Sequence, residues 1–85
     1  MAAEQSMWHV NDVVAYDLMR ELSGSLQARL LERARHGDQS AQTELLDVRR
    51  TTISIDGYDR AAVDSYAKQL QLRDAELALA ASGVS

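Results

Sequence analysis

Cysteine, proline and phenylalanine are absent from the 85 residues of this chain, and histidine occurs only as His9 and His36. No cysteine means no disulfide, and two isolated histidines do not make a structural metal site, so neither staple of small folds is on hand. A chain this short buries only about 60–65% of the surface that its unfolded form exposes. Oligomerisation or regular helix packing has to supply the missing stability. The lack of cysteine, with an opening that has no basic stretch, apolar run or small-residue cleavage site, gives a reducing, cytoplasmic location as the expectation. No apolar run approaches the roughly 20 residues that cross a bilayer, and a membrane is not an expected partner.

Chemistry is equally sparse. There is no cysteine nucleophile, no glycine-rich phosphate loop and no GxSxG elbow, and neither histidine has a partner at ligand spacing. The expectation is a protein that is not an enzyme and takes no cofactor and no metal. Asp12, Asp17 and Glu21, and likewise Asp59, Asp64, Asp74 and Glu76, are spread along helices instead of converging from a turn, and read as solvated faces. Nine Lys and Arg against thirteen Asp and Glu leave a net charge of −4, which repels nucleic-acid backbones over the molecule as a whole. Against that average, Arg29, Arg33, Arg49 and Arg50, with Arg35 nearby, form the candidate nucleic-acid contact if helices two and three run antiparallel. The competing reading is surface ion pairs worth well under about 1 kcal/mol each.

What the chain does have is helix formers: Ala, Leu, Arg, Gln, Glu and Asp dominate. Asn11 suits a cap, and Val10, Val14, Leu18 and Leu22 recur every fourth residue with Val13, Ala15 and Met19 beside them, predicting a first helix. Ser23-Gly24-Ser25 reads as an interruption, with Ser25 capping a second helix whose inner face carries Leu26, Leu30, Leu31 and Ala34. A continuous helix through Gly24 is the alternative, at a cost of about 1 kcal/mol relative to Ala. His36-Gly37-Asp38 is a stop followed by a cap, and the third helix turns Ala41, Leu45 and Val48 inward with Leu46 flanking. Thr51 to Ile55 alternates β-branched residues and predicts a short extended segment. Asp56-Gly57 is a turn signal and Asp59 a cap. Beyond them Val63, Tyr66, Leu70, Arg73, Leu77 and Ala80 form a heptad seam too short for a free-standing coiled coil. The expected fold is all-α, one domain over 1–85, with four helices at about 11–23, 25–36, 39–50 and 60–82, an extended segment at 51–55, and flexible ends at 1–8 and 83–85.

The stretch Ile55-Asp56-Gly57-Tyr58-Asp59-Arg60-Ala61-Ala62-Val63-Asp64-Ser65-Tyr66 resembles the GYD-x-x-x-VD-x-aromatic opening of DivIVA-type domains. The resemblance implies a short extended segment and turn leading into a parallel coiled coil, self-association and scaffolding of membrane-proximal partners. That family carries an aromatic and a basic residue before its Gly for membrane contact, where Ile55 and Asp56 stand here. Ser40-x-x-x-Glu44 is similar to the helical inhibitory motif of antitoxins that block Fic-type nucleotidyl transferases. Those motifs follow the Glu with Gly or Asn, and Leu45 stands in that place, so the inhibitory role is not carried over.

The function expected from these features is a non-catalytic protein-binding module, an antitoxin-like or phage-type regulatory adaptor that modulates a partner protein. Two alternatives stand beside it: a self-associating, DivIVA-like scaffold, and a small DNA-binding regulator using the arginine set. The expected partner is another protein, with a homodimer as the expected assembly. Candidate partner-binding residues are Trp8, Ile53, Ile55, Tyr58, Val63, Tyr66, Leu70 and Leu77.

Overall fold

The computed structural model describes residues 10–83. Three helices follow one another: α1 (Val10–Arg35), α2 (Gln39–Ser54) and α3 (Arg60–Gly83). The fold is all-helical, as expected, but the count is three helices instead of four, and no strand occurs among the described residues. The expected tail at 1–8 lies outside the described residues, and Gly83 of the other tail closes α3.

The first correction concerns Gly24. The expected break at 23–25 does not occur, and α1 runs for 26 residues, about 39 Å at 1.5 Å per residue. Ser23 is buried, so it serves as a core position and not as punctuation, while Gly24 faces open space with nothing near its missing Cβ. Its backbone φ is not in the left-handed region, where Gly37 alone stands among the described residues. A break there would separate Met19 and Ser23 from Leu26 and Leu30, which form one buried line. Burial of that line outweighs the helix penalty of one glycine. We therefore expect Gly24→Ala to raise the unfolding free energy by about 0.5–1 kcal/mol, measured by urea unfolding. A left-handed glycine terminating a helix would give the opposite sign.

The second correction concerns residues 51–55. No extended segment forms; α2 continues through Ser54, and Ile55 caps it, its N–H bonding to Thr51 and Thr52 carbonyls. Thr52 is buried, and its hydroxyl donates to the Val48 carbonyl one turn back at 2.7 Å. The β-branched preference of Thr51 to Ile55 thus yields to tertiary placement of one residue.

Asn11, expected as a cap, lies inside α1, which is already helical at Val10; the turn and cap signals between the helices behave as expected. Gly37 takes φ +95° after α1, the left-handed conformation that suits glycine. Asp38 caps α2, accepting from the Ala41 N–H at 3.1 Å and from the Ser40 hydroxyl at 2.6 Å. Those two bonds, with Arg33 behind them, hold its carboxyl below the usual carboxylate range. Asp56 accepts from the Tyr58 N–H at 2.9 Å to make the turn, and Asp59 accepts from the Ala62 N–H at 3.0 Å to cap α3.

α1 is the central helix. α2 returns antiparallel along one flank and α3 runs parallel along the other, and both pack closely against α1, whereas α2 and α3 stand farther apart and meet through long side chains. Each helix contributes a line of inward positions alternating three and four residues apart, the spacing of left-handed bundles. These are Met19, Ser23, Leu26 and Leu30 on α1; Ala41, Leu45, Val48 and Thr52 on α2; and Val63, Tyr66, Leu70 and Leu77 on α3, with half-buried Arg73 at the position between the last two. The face expected for the first helix is therefore turned: Val10, Val14 and Leu18 are exposed and Leu22 is half-buried.

One core layer is polar, with one residue from each helix. Thr52 gives its only hydroxyl hydrogen to Val48, so the Ser23 hydroxyl donates to Thr52 Oγ1 at 2.6 Å and accepts from Gln27 Nε2 at 2.9 Å. The Tyr66 hydroxyl lies 3.3 Å from both Thr52 Oγ1 and the Val48 carbonyl. Charged pairs tie the periphery: Arg60 to Asp12 at 2.9 Å, Arg29 to Asp74 at 2.8 Å, and a two-pronged Arg73–Glu44 pair at 2.7 and 2.8 Å. Arg73, which interrupts the apolar seam in sequence, finds Glu44 of α2 in place of a hydrophobic partner. The Glu44 bonds, with Glu76 second, raise its pKa further above the ordinary arginine value.

Candidate docking surface

The α3 residues expected to bind a partner are used inside the chain. Val63, Tyr66, Leu70 and Leu77 are buried against α1 and α2, and Ile55 is half-buried against the same core. Of the remaining candidates, Ile53 is 84% exposed and Tyr58 is also exposed, while Trp8 lies outside the described residues. The structure therefore separates the seven described candidates into residues of the core, with Ile55 at its edge, and two exposed residues, Ile53 and Tyr58.

Nor are the candidate nucleic-acid contacts gathered into one basic patch. Arg29 pairs with Asp74 on the α3 side, Arg33 lies 3.5 Å from Asp38 at the hairpin, and Arg50 lies 3.3 Å from Asp47. A carboxylate beside each of these three offsets the attraction that a phosphate would feel. Arg49 differs. No carboxylate among the described residues stands within ion-pair distance of it or of Arg20, whose guanidinium sits 5.9 Å from the centre of the Tyr16 ring. Glu44, the acidic residue of the inhibitory-motif resemblance, is engaged by Arg73 across the α2–α3 cleft.

Arg20 and Arg49 share the outer seam between α1 and α2, on the flank of α1 away from α3. On α1 this seam carries Arg20, Gly24, Gln27 and Leu31; on α2 it carries Gln42, Leu46, Arg49 and Ile53, each series stepping four, three and four residues. Positions so spaced lie on one helix face. Two depressions follow the seam end to end. One, of about 420 Å³, lies among Tyr16, Arg20, Gly24, Gln27, Arg49 and Ile53, with the buried Ser23 and Thr52 also lining it. The other, of about 310 Å³, lies among Leu31, Ala34, Gln42, Leu45 and Leu46 near the hairpin.

This seam has three properties together. Leu31, Leu46 and Ile53 are large apolar residues exposed to water. Gly24 lets another backbone approach α1 closely, since no side chain stands there. Arg49 and Arg20 place positive charge between and beside the apolar residues. Partly apolar surface beside ungapped charge is the composition of an interface more than of an ordinary solvated face. No three His, Cys, Asp or Glu side chains come together as a metal site among the described residues, and no helix among them is long and apolar enough to cross a membrane.

Five seam residues carry other roles in the sequence: Ile53 and Arg49 as candidate contacts, Gly24 as a break, Leu46 as a flanking position, and Leu31 as an inner-face residue, which the structure instead exposes. The seam's signal was available as a second three-and-four repeat, offset from the core repeat and mixed in polarity.

No family model, curated protein or solved structure matches the chain.

Proposed function

We propose that this chain is a non-catalytic protein-binding module that receives an α-helix of its partner in the α1–α2 outer seam. The observation that carries the reading is the order of residues along α2: apolar Leu46, cationic Arg49, apolar Ile53, at steps of three and four, with Arg49 and Ile53 lining the same depression as Gly24 of α1 and Leu46 the next. A helix lying antiparallel to α2 meets these residues with an apolar, an acidic and an apolar side chain at steps of four and three. Its carboxylate would answer Arg49, and its close approach over Gly24 would complete a four-helix arrangement. Holding or blocking a partner in this way is the work of an antitoxin-like inhibitor or a regulatory adaptor, and it requires no catalytic group.

The test is a helical peptide presenting Leu-x-x-x-Glu-x-x-Leu on an alanine-rich background, titrated with the full chain by fluorescence anisotropy. Binding in the micromolar range is expected, with Arg49→Glu weakening it at least tenfold, about 1.4 kcal/mol. Replacing the peptide Glu by Lys should restore binding to Arg49→Glu while abolishing it for the native chain. A peptide that ignores both charge changes, or does not bind, removes the seam as a helix-docking site.

A further inference from the structure

The complementary helix that this seam calls for is present in the chain itself. On the outer face of α3, Leu72 is 59% exposed and Leu79 is 72% exposed, with Glu76 between them. Their steps are four and three residues, the reverse of Leu46, Arg49 and Ile53 on α2. Laid antiparallel to α2, α3 sets Leu79 against Leu46, Glu76 against Arg49 and Leu72 against Ile53, with no residue left out of register. That orientation is parallel to α1, the one the chain's own α3 already takes on the opposite flank, where Arg60 meets Asp12 and Asp74 meets Arg29. Glu76 accepts Arg73 through Oε1 at 2.9 Å, and a carboxylate has acceptor capacity for a second guanidinium through its other oxygen.

We propose that the chain self-assembles by seating the Leu72-Glu76-Leu79 face of one copy in the α1–α2 seam of another. This rests on the helix-docking reading above and names the helix. The two surfaces are different patches directed away from each other, so neither is satisfied within a single chain and the contact is heterologous. Rotation between successive copies then decides whether the assembly closes as a small ring or continues as a chain. One helix on a two-helix seam gives an interface at the small end of specific contacts, below about 1,200 Å². Assembly is accordingly concentration-dependent, with a dissociation constant in the micromolar to millimolar range, and the monomer keeps its fold because its core is complete without the contact.

Sedimentation velocity on the full chain, from low micromolar to millimolar concentration, should show a mass that rises beyond the monomer. The decisive arm uses two variants. Leu72→Asp with Leu79→Asp removes the donor face, and Leu46→Asp with Ile53→Asp removes the seam; these positions are exposed, and unchanged circular dichroism confirms the fold. Each variant alone is expected to remain monomeric, and an equimolar mixture should form a one-to-one heterodimer that does not grow. If a double variant does not fold, Arg49→Glu and Glu76→Lys serve in the same scheme: each weakens self-assembly and their mixture restores it at least tenfold. A native chain monomeric at millimolar concentration, or variants that do not complement when mixed, overturns the proposal. Peptide binding by a chain that stays monomeric would leave helix docking standing and remove only the second copy. Assembly that survives both double variants would place the contact elsewhere.

Discussion

Leu26→Ala is expected to lower the unfolding free energy by about 2–5 kcal/mol. Leu26 is almost completely buried at the middle of α1 and lies beside Val48 of α2 and Tyr66 and Leu70 of α3, so truncation opens a void where all three helices meet. Neighbouring side chains cannot collapse into it easily, because the adjacent layer is held by the Ser23, Thr52 and Tyr66 hydrogen bonds. Domains of this size have roughly 5–10 kcal/mol of stability in total, so the variant loses a large share of it. Each kcal/mol shifts the midpoint by about 4–8 °C in a domain of 60–100 residues, which puts the fall in the tens of degrees. Thermal and urea unfolding followed by circular dichroism measure it. Leu46→Ala, on the exposed seam, is the control and should stay within about 0.5 kcal/mol of the native chain. If α1 were two helices broken at Gly24, Leu26 would sit at a frayed helix start and the two substitutions would cost similar amounts.

That contrast also marks how much of the fold was readable from residues alone. Signals completed by their own neighbours were legible: Gly37 as a left-handed stop, Asp38 and Asp59 as caps, and Asp56 as a turn former each act through bonds to residues two or three positions away. The α3 seam was legible because its positions alternate three and four apart with Arg73 the one charged member, and four of its apolar residues are buried; their partner is α1 and α2 of the same chain. Val10, Val14, Leu18 and Leu22 misled for a geometric reason. Steps of four advance about 40° around a helix of 3.6 residues per turn, so three such steps carry the line well around the cylinder. Met19, Ser23, Leu26 and Leu30 alternate and stay on one side. The line was hidden because its second member is a serine. Ser23 and Thr52 look like punctuation and strand former until each is seen as the other's partner, 29 residues away. The docking seam was illegible for a related reason: its residues are mixed in polarity, and their common face exists only once α1 is continuous through Gly24.

The polar layer supports the second large prediction. Thr52→Val keeps the shape of the side chain and removes the hydroxyl that receives the Ser23 hydrogen and adjoins Tyr66. Ser23 and Tyr66 are buried, so their hydroxyls lose a partner without gaining water, and the expected cost is about 1–3 kcal/mol. Part of this is recoverable, since a helical serine can turn its hydroxyl toward the carbonyl four residues back and Tyr66 retains the Val48 carbonyl. Removing all three hydroxyls together, as Ser23→Ala, Thr52→Val and Tyr66→Phe, leaves no buried hydroxyl unpaired and frees only the half-buried Gln27 amide, which lines the outer depression, so stability should return to within about 1 kcal/mol of the native chain. A triple variant more stable than the single one is the signature of a coupled layer; three costs that add would mean that the hydroxyls act independently. What the triple variant should lose is definition. The short turn at 36–38 fixes α2 on α1, whereas α3 is joined through the longer 55–59 connection, and the Tyr66 hydroxyl is its one hydrogen bond into the central layer among the described residues. Broadened amide resonances in α3, with sharp ones in the α1–α2 hairpin, would show that the layer specifies where α3 sits more than it stabilises the fold. Because Ser23 and Thr52 also line the docking seam, the same variant tests whether the seam depends on α3: the Leu-x-x-x-Glu-x-x-Leu peptide should still bind, since Arg49, Leu46 and Ile53 are carried by the hairpin alone.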